Sequence, residues 1–563
     1  MVDEQVPVLI VGGGLVGLSA SLLLLHHGIP ALLVERHPTT SIHPRLRGVN
    51  ARTMEIFREL GLEEDIRVAG AELAPSHGIL SGETLTKALE TFSADPRENV
   101  QLAFDPFQHG ERLDDLSPTY GCRVTLDRLE PVLLTAARKR GGDLRFNTEC
   151  VTFEQDDTGV TATLVERASG AHSQIRADYL IAADGAGSPI RQALGASTSG
   201  RGTLGHLLNI LFTADLRDLV RSREFSLCLI KHPEVRGLLT SINNTDRWVF
   251  HLSYEAEQGV TPADYPPERC LELLHLALGM PQVEIEIKSI LPWECAVRVA
   301  DDFQHGRILL AGDAAHQMPP WGGHGGNSGV ADAHNLAWKL AAVLKGQAAP
   351  SLLKTYTVER RPVVEVAAEA SARRADEHGL VKSFPAGLLQ SRLLGGLLKL
   401  LLKRFGRTTF DRILGYGYQY RSQAIISDDQ AGKQAELDGH PGTRAPHVWV
   451  EKQGQRLSTL DLFGDGSVLL TGQEGAPWCE AAREIASRFK VTLAAYRVGP
   501  QGDLLDPENC WQHKVGIQAD GALLVRPDGF VAWRCRNLTG VPQQMLEQVL
   551  ARLLCREPEL ISL

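Results

Sequence analysis

Apolar residues near the N-terminus fall into two short continuous runs with a longer helical pattern between them. Residues 6–11 and Ala31–Glu35 predict buried strands, and residues 15–27 predict a helix, with Gly28 at the position that follows a helix C-terminus. A strand, a helix and a second strand in this order form a right-handed parallel unit. The pattern therefore predicts the start of a parallel sheet.

Strand-like and helix-like segments alternate along most of the remaining chain. Strands are predicted at residues 144–147, 148–155, 160–165, 179–182 and 308–311, and helices at 52–60, 128–140 and 327–344. Between residues 203 and 299 strands dominate, and they are predicted at 207–213, 225–230, 238–242, 248–254 and 284–290, with one helix at 268–278. Residues 156–159 predict the turn of a hairpin.

The composition changes near residue 425. Residues 432–446 are rich in glycine and proline, which predicts a linker. Short strands and one helix follow, at residues 467–471, 479–488, 492–497, 522–525 and 531–534. This last part of the chain therefore predicts an α/β domain of its own.

Bulk composition narrows the class of protein. At about 100–200 residues per domain, 563 residues suggest three or four domains. The net charge is −10 and no run of lysine or arginine stands out, which argues against nucleic-acid binding. The nine cysteines include no CxxC pair and no cluster at zinc spacing, so we expect no metal site and free thiols in a reducing cytoplasm.

No segment of the sequence predicts a secretory signal or a membrane span. The N-terminus is acidic at Asp3 and Glu4, and no window of 18 apolar residues is free of charges. Residues 388–402 are apolar with basic neighbours, which fits a helix packed on its own protein or a membrane-surface helix. We expect a cytoplasmic protein without stable membrane association.

The first segment that carries chemistry is Gly12-Gly13-Gly14-Leu15-Val16-Gly17, between the first predicted strand and helix. Gly12 permits a tight turn, Gly14 lets the backbone approach a pyrophosphate, and the helix N-terminus presents unpaired amides to phosphates. Glu35 ends the second strand, where a carboxylate accepts hydrogen bonds from ribose hydroxyls and would repel a 2′-phosphate. The segment predicts an FAD or NAD site, and a glycine-rich turn without a ligand is the alternative.

Two further segments follow predicted strands. Asp184 and Gly185 open a helix, and taken alone they fit an ordinary loop with Asp184 as the helix N-cap. Asp313 follows another strand, where its carboxylate can accept from a ribityl hydroxyl. The loop after it has four glycines in residues 322–326, which is costly to order and therefore favours a ligand such as a flat ring over a flexible linker.

These three segments, in this order, resemble the para-hydroxybenzoate-hydroxylase-like family of flavoprotein monooxygenases over residues 5–425. The resemblance implies that the first segment binds the ADP part of FAD. The second would lie by the pyrophosphate and take part in NAD(P)H use, and the third would hold the ribityl chain and touch the isoalloxazine ring. The cofactor-binding residues that it implies are Gly12, Gly14, Leu15, Val16, Gly17, Glu35, Arg36, Arg45, Arg123, Asp184, Gly185, Gly312, Asp313, Pro320, Gly323, Gly325, Gly326 and Asn327.

The resemblance also places Arg45, Pro320 and His324 near the flavin, with Arg47 as the alternative to Arg45. No catalytic residue is assigned, and His324 is expected to be a structural hydrogen bonder, as is His316. The sequence departs from the family at three positions: many relatives carry glutamine in place of His324, methionine in place of Gly326 and a flavin-contacting glutamine in place of Leu126.

The C-terminal part sharpens the resemblance. Residues 442–447, 458–464 and 525–529 resemble the three-domain members of the family. The implied fold class is α/β, with a Rossmann-like FAD-binding domain (1–71, 116–199 and 300–425), an inserted β-sheet substrate domain (72–115 and 200–299) and a thioredoxin-like domain (426–563). Because Cys479 is the single thiol in Trp478-Cys479-Glu480, we expect this last domain to be redox-inactive.

The resemblance implies hydroxylation of a small aromatic substrate, preferably polycyclic and polyketide-like, through a C4a-hydroperoxyflavin formed with O2. Since the chain has one dinucleotide fingerprint, NADPH or NADH would bind transiently as the reductant. The alternatives are a small-phenol hydroxylase, a Baeyer–Villiger or oxidatively decarboxylating oxygenase, a hydride-transfer dehydrogenase and a non-enzymatic flavin-binding protein. The protein is expected to be a monomer or a homodimer.

The substrate would lie between the flavin ring and the strand-rich domain. The inner face of that domain is predicted to offer a stripe that also fits a closed core, made of Phe212, Leu227, Leu229, Trp248, Phe250, Leu252 and Trp293.

Overall fold

The computed structural model describes residues 2–71, 73, 79–90, 116–382, 417–427 and 437–556, so the apolar segment 388–402 lies outside it. The helices are α1 (Leu15–His26), α2 (Ala51–Glu59), α3 (Glu63–Gly70), α4 (Leu85–Glu90), α5 (Leu126–Lys139), α6 (Pro189–Ala193), α7 (Arg217–Val220), α8 (Pro267–Leu278), α9 (His324–Leu344), α10 (Thr355–Ala372), α11 (Ala476–Phe489), α12 (Trp511–Val515) and α13 (Pro542–Leu553). None of the helices in these ranges combines the length and hydropathy needed to cross a membrane.

The strands form three larger sheets and one two-stranded ribbon. They are β1 (Glu4–Val11), β2 (Ala31–Glu35), β3 (Ile79–Gly82), β4 (Asp143–Phe146), β5 (Thr148–Gln155), β6 (Val160–Glu166), β7 (His172–Ala182), β8 (Thr198–Thr213), β9 (Leu227–Lys231), β10 (Arg236–Ser241), β11 (Arg247–Tyr254), β12 (Glu286–Ala300), β13 (Gln304–His305), β14 (Ile308–Leu310), β15 (His316–Gln317), β16 (Trp449–Lys452), β17 (Gln455–Ser458), β18 (Ser467–Thr471), β19 (Leu493–Arg497), β20 (Ala522–Val525) and β21 (Val531–Cys535).

The first sheet contains the parallel unit predicted at the N-terminus. Its parallel strands lie in the order β14-β7-β1-β2-β4. β2 is buried over almost its whole length, as is the second half of β1, because helices such as α1 cover the sheet. All five strands run in the same direction, so the loops after their carboxyl ends meet at one edge.

The predicted helix and second strand are confirmed, since α1 begins at Leu15 and β2 has the predicted bounds. Gly28 has a φ of +70°, as its place after the helix predicts. β7 is longer than predicted because its first half pairs with β6 in an antiparallel ribbon and exposes polar residues. The sequence does not predict α10, which contains Pro362, because an internal proline breaks the helical pattern.

The second sheet has seven strands, in the order β15-β12-β8-β11-β10-β9-β3. The predicted single stripe is wrong, because the sheet register places its members on opposite faces. Four of them pack with α8 in a closed core, namely Phe212, Trp248, Phe250 and Leu252. The other three pack around Trp321 on the opposite face, namely Leu227, Leu229 and Trp293. Only this second group faces the segment that follows Asp313.

The C-terminal part is built on a four-stranded sheet in the order β19-β18-β20-β21. β18 and β19 are parallel and joined by α11, whereas β20 and β21 form an antiparallel pair followed by α13. This is the thioredoxin-like topology. Cys479 lies in α11, and burial raises the pKa of its thiol, which disfavours the reactive thiolate.

A buried cluster of charges joins the C-terminal part to the first sheet's helices. Glu359 of α10 accepts two hydrogen bonds from Arg526, at 2.7 and 2.9 Å, and one from Lys339 of α9 at 2.8 Å. Asp528 is the second carboxylate against Arg526. The side chains of Glu359, Arg526 and Lys339 have no exposed surface, so their ion pairs hold the two parts together away from water.

Candidate active site

The three segments that the resemblance assigns to FAD lie together at the carboxyl edge of the first sheet. They are called the first motif (residues 12–17), the second motif (Asp184-Gly185) and the third motif (Gly312-Asp313). Gly12 packs on the residue before Asp184, since a Cβ at Gly12 would lie 2.2 Å from the carbonyl oxygen of Ala183. Val16 packs on the third motif, because a Cβ at Gly312 would lie 2.6 Å from Val16 Cγ2. The fold therefore joins segments that are far apart in the sequence, and glycine is required at the points of contact.

The turn between β1 and α1 has the shape of a dinucleotide-binding turn. Gly12 has a φ of +112°, and a Cβ at Gly17 would lie 1.9 Å from the Gly12 carbonyl oxygen. The first hydrogen bond of α1 runs from the Leu18 amide to the Gly14 carbonyl at 2.9 Å. Amides before Leu18 therefore lack an intrahelical acceptor, which is the arrangement that binds a pyrophosphate.

Glu35 lies beside this turn. One of its carboxylate oxygens accepts from the Gly13 amide at 2.6 Å, and the other accepts from the His37 amide at 2.8 Å. These bonds fix the carboxylate at the end of β2, where a ribose hydroxyl would reach it. The neighbouring Arg36 is exposed.

Glu130 of α5 accepts a hydrogen bond from the Leu15 amide, which the sequence assigns to the cofactor. Its two carboxylate oxygens accept from the Leu15 amide at 3.0 Å and from the Ser41 amide at 2.9 Å, and burial raises the pKa of this carboxyl. The Leu15 amide is thus satisfied within the protein. The signal for Glu130 in the sequence is a lone acidic residue on the apolar face of a predicted helix.

The second motif has one unsatisfied oxygen. Ser188, not Asp184, is the N-cap of α6; Asp184 Oδ2 accepts from the Ile190 amide in the first turn, whereas Asp184 Oδ1 is buried and makes no hydrogen bond within the described ranges. Burial raises the pKa of Asp184, and Gly185 beside it has a φ of +86°. Arg191 of α6 then reaches the third motif, where it donates to the Ala314 carbonyl at 2.8 Å. The loop is therefore more than a cap, since it leaves an acceptor for a ligand donor.

Asp332 of α9 is the residue that holds the third motif in place, and the sequence does not single it out. Its Oδ2 accepts from the Gly312 amide at 3.1 Å and pairs with His316 Nε2 at 2.6 Å. Its Oδ1 accepts from Arg360 Nε at 2.7 Å. Burial alone would raise the pKa of Asp332, but His316 and Arg360 lower it, so the carboxylate stays charged. His316 is a buried structural partner here.

We expect Asp332→Asn to weaken FAD binding by about 10- to 100-fold, because one buried charge-assisted hydrogen bond contributes roughly 1.5–3 kcal/mol. The asparagine would turn an N–H group toward Arg360 or Gly312 and loosen the turn before Asp313. Titration of the apoprotein with FAD measures the change. Asp301→Asn, at a half-exposed carboxylate paired with Arg361, is the control. Equal FAD affinity in Asp332→Asn and in the wild type would contradict this role.

The loop after the third motif ends in α9. Gly323 has a φ of +68° and precedes the helix, so Gly325 and Gly326 lie in its first turn, where amides have no intrahelical acceptor. Asn327 secures the loop: its side-chain oxygen accepts from the Asn50 amide at 2.9 Å and the Thr53 hydroxyl at 2.7 Å. Its amide nitrogen donates to the Gly323 carbonyl at 2.6 Å, so both ends of the side chain hold the loop in place and we expect Asn327 to contact a ligand through its backbone.

The segment from Asp313 to the start of α9 contains two exposed residues and one buried histidine that bear on the site. Asp313 and Pro320 are exposed, and a Cβ at Gly325 would lie 4.0 Å from Asp313 Oδ1. His324 is buried, and burial, helped by the charge of Arg374, lowers its pKa to about 4. At neutral pH His324 is therefore uncharged and adds no positive charge to the loop.

The basic residues predicted near the flavin are not equivalent. Arg45 is exposed, and its carbonyl accepts from the Leu126 amide at 3.0 Å. Arg47 reaches the second sheet, where it donates to the carbonyls of Ser226 and Ser241. Burial, together with the nearby charge of Arg123, lowers the pKa of Arg47 to about 10. Arg47 and Arg123 therefore place positive charge at the junction of the two sheets.

The observed groups fit FAD. An open glycine turn and the Glu35 carboxylate suit the ADP part, the unsatisfied Asp184 oxygen and exposed Asp313 offer acceptors along the sheet edge, and the loop before α9 offers amides. Within the described part of the chain, no group of His, Cys, Asp or Glu side chains is arranged to hold a metal ion. Fold and site together define an FAD-dependent oxidoreductase.

The chain belongs to the FAD-dependent aromatic-ring hydroxylases. Residues 5–371 match the model of the FAD binding domain, and residues 438–556 match that of the aromatic-ring hydroxylase C-terminal domain. The protein is therefore an FAD-dependent monooxygenase of aromatic compounds that uses NAD(P)H as reductant.

Similar proteins match nearly the whole length of the chain. A tetracenomycin A2 monooxygenase-dioxygenase of Streptomyces glaucescens is 38% identical, with 98% of each chain covered. A 4-methyl-5-nitrocatechol 5-monooxygenase of a Burkholderia species is 37% identical, with 98% of each chain covered. The solved structure of an aklavinone-11 hydroxylase with FAD and aklavinone has 37% identity and a TM-score of 0.80, covering 99% of this chain and all (100%) of the other.

Proposed function

We propose that the protein hydroxylates a polycyclic aromatic polyketide, with FAD bound at the carboxyl edge of the first sheet. The observation that carries the proposal is the apolar face of the second sheet, where Leu207, Leu229 and Leu238 pack around Trp321. Because Trp321 belongs to the loop before α9, this face lies beside the place where the flavin ring would sit. Relatives named for tetracenomycin and aklavinone support a polycyclic substrate.

The residues proposed to hold FAD divide the work. The amides of the glycine turn and the first turn of α1, other than the Leu15 amide that Glu130 occupies, bind the pyrophosphate. Glu35 accepts from the ribose, and Asp313 accepts from the ribityl chain. When bound, FAD accepts hydride from NAD(P)H and activates O2. The N-terminus of α9 offers amides and a positive dipole end to the ring, and the apolar sheet face excludes water from the substrate.

The cysteines support a cytoplasmic location. All nine are free, and five of them are buried. Unpaired thiols are typical of proteins in reducing compartments. We therefore propose that the reaction takes place in the cytoplasm.

A substrate panel tests the proposal and its alternative. The holoenzyme is mixed with NADPH or NADH under air and either aklavinone and related polycyclic phenols or 4-methyl-5-nitrocatechol. We expect the polycycles to stimulate NAD(P)H oxidation and to yield a product heavier by one oxygen atom. Stimulation by the nitrocatechol alone would replace the proposal with a small-phenol hydroxylase, an alternative that the Burkholderia relative favours.

A further inference from the structure

One connected polar cluster interrupts the apolar face of the second sheet. Asn209 of β8 and Thr240 of β10 are 6% and 5% exposed, whereas His251 of β11 and Trp293 of β12 are half-buried. Asn209 lies directly opposite His251 in the register of the two strands. By strand alternation Asn209 shares its face with Leu207, which packs against Trp321.

The hydrogen bonds of this cluster fix the orientation of the Asn209 amide. An indole N–H can only donate, so the Asn209 atom that lies 2.6 Å from Trp293 Nε1 must be the carbonyl oxygen. His251 Nδ1 lies 2.6 Å from the same oxygen and must therefore carry its proton. His251 Nε2 then accepts from the Thr240 hydroxyl at 3.0 Å.

The neutral state of His251 agrees with this assignment. Burial, with smaller contributions from His43 and Arg47, lowers the pKa of His251 to about 4. At neutral pH the ring therefore carries one proton, which the Asn209 oxygen requires on Nδ1. Of the two neighbours, Arg47 is the one that carries positive charge at neutral pH, since burial also lowers the pKa of His43 to about 4.

As a consequence, both N–H groups of the Asn209 side-chain amide lack an acceptor in the part of the chain that the structure describes. No hydrogen bond of this nitrogen exists within the described ranges, and the nitrogen is not among the fully buried atoms that lack a partner. It retains access to the space beside the sheet. A nearly buried donor pair without an acceptor is costly, so the arrangement favours a ligand that supplies one.

We propose that Asn209 is a specificity-determining residue whose amide nitrogen donates to a carbonyl or phenolate oxygen of the aromatic substrate, while Trp293 and His251 lock the amide in this orientation. The inference rests on the proposed function and adds the substrate feature that the sheet recognises. The positive charge of Arg47 nearby favours an oxygen that carries negative charge. A site that is built to hydrogen-bond such an oxygen strongly rejects an analogue that lacks the oxygen.

The test compares Asn209→Asp with Asn209→Ala in the FAD-loaded enzyme. The aspartate keeps the shape and still accepts from Trp293 and His251, but it turns an oxygen instead of a donor toward the substrate. We expect the Kd of aklavinone to rise about tenfold in Asn209→Ala and about 100-fold in Asn209→Asp, since one hydrogen bond contributes about 1–1.5 kcal/mol and unpaired or repelling oxygens cost more. Perturbation of the flavin absorbance measures binding.

A structural role predicts the opposite order, because Asn209→Asp preserves the cluster and Asn209→Ala empties it. Unchanged aklavinone binding in Asn209→Asp would therefore overturn the inference. We also expect KM to rise more than kcat falls, and a larger share of NAD(P)H oxidation to end in hydrogen peroxide. Asn537→Asp, the same change at an exposed residue of the C-terminal part, should match the wild type.

Two further results separate this inference from the proposed function. Trp293→Phe removes the donor that locks the amide, and we expect aklavinone binding to weaken severalfold while the fold is kept. If the wild-type enzyme binds aklavinone and oxidises NAD(P)H with it, but the Asn209 variants do the same, only the inference fails. If the wild-type enzyme responds to no polycycle, the proposed function fails, and the inference fails with it.

Discussion

Gly12→Ala is expected to lower the affinity for FAD by at least roughly 100-fold, which corresponds to about 2.7 kcal/mol. The added Cβ would lie 2.2 Å from the Ala183 carbonyl oxygen, and Gly12 has a φ of +112°, a conformation that alanine rarely adopts. The turn must therefore shift away from the second motif, and its amides move out of the position in which they would bind the pyrophosphate. Quenching of flavin fluorescence during titration of the apoprotein measures the affinity.

Gly61→Ala is the matched control. Gly61 also has a positive φ, of +67°, but a Cβ there would meet no atom within 4 Å. It should carry a strain of about 1 kcal/mol without changing FAD affinity. Circular dichroism of both apoproteins shows whether they fold. A folded Gly12→Ala variant that binds FAD as tightly as the wild type would show that the turn is not the pyrophosphate site.

Glu359→Gln is expected to lower the free energy of unfolding by about 3–5 kcal/mol, because it leaves buried cations without their main counter-charge. Arg526 and Lys339 would keep Asp528 as the carboxylate in their cluster. Urea denaturation measures the loss. Glu369→Gln, which breaks the exposed pair with Arg201, should cost less than about 1 kcal/mol. Equal losses in the two variants would contradict the importance of the buried cluster.

The same cluster predicts a dependence of stability on pH. Burial alone would raise the pKa of Glu359, but Arg526 and Lys339 hold it far below its usual range. A depressed pKa in the folded state stabilises the protein above the pKa of the unfolded carboxyl, and this contribution is lost as the pH falls into the acid range. We expect Glu359→Gln to flatten the decline in stability with acidification, as measured by urea midpoints over a pH series.

The local chemistry of glycine and aspartate explains why a candidate site could be proposed from the sequence. Gly12, Asp184 and Gly312 each follow a short apolar strand, and parallel strands carry such loops to one edge. The start of a parallel sheet follows from these positions, whereas the full domain arrangement is what the family resemblance implies. The packing of Val16 on Gly312 could not be foreseen, because it depends on how the strands are ordered in space.

The sequence does not predict the roles of residues that depend on strand pairing and on contacts between distant segments. Within one strand, the alternation of side chains can be read from the sequence. Which residues of two strands share a face depends on how the strands pair. The sequence therefore predicts one stripe for Phe212 and Leu229, which lie on opposite faces of the sheet. Asp332 appears in the sequence as one acid in a helix. Only the fold brings it to Gly312 and His316. Asn209 gains its orientation in the same way, from Trp293.

Isotope labelling tests most directly whether this enzyme inserts one atom of O2 into an aromatic ring. The FAD-loaded enzyme is supplied with NADPH or NADH and aklavinone under 18O2, and the product is analysed by mass spectrometry. We predict a hydroxylated product that contains one 18O atom, with one NAD(P)H consumed for each product formed. A product whose new oxygen comes from water, or NAD(P)H oxidation that yields only hydrogen peroxide with every aromatic compound in the panel, would contradict this prediction.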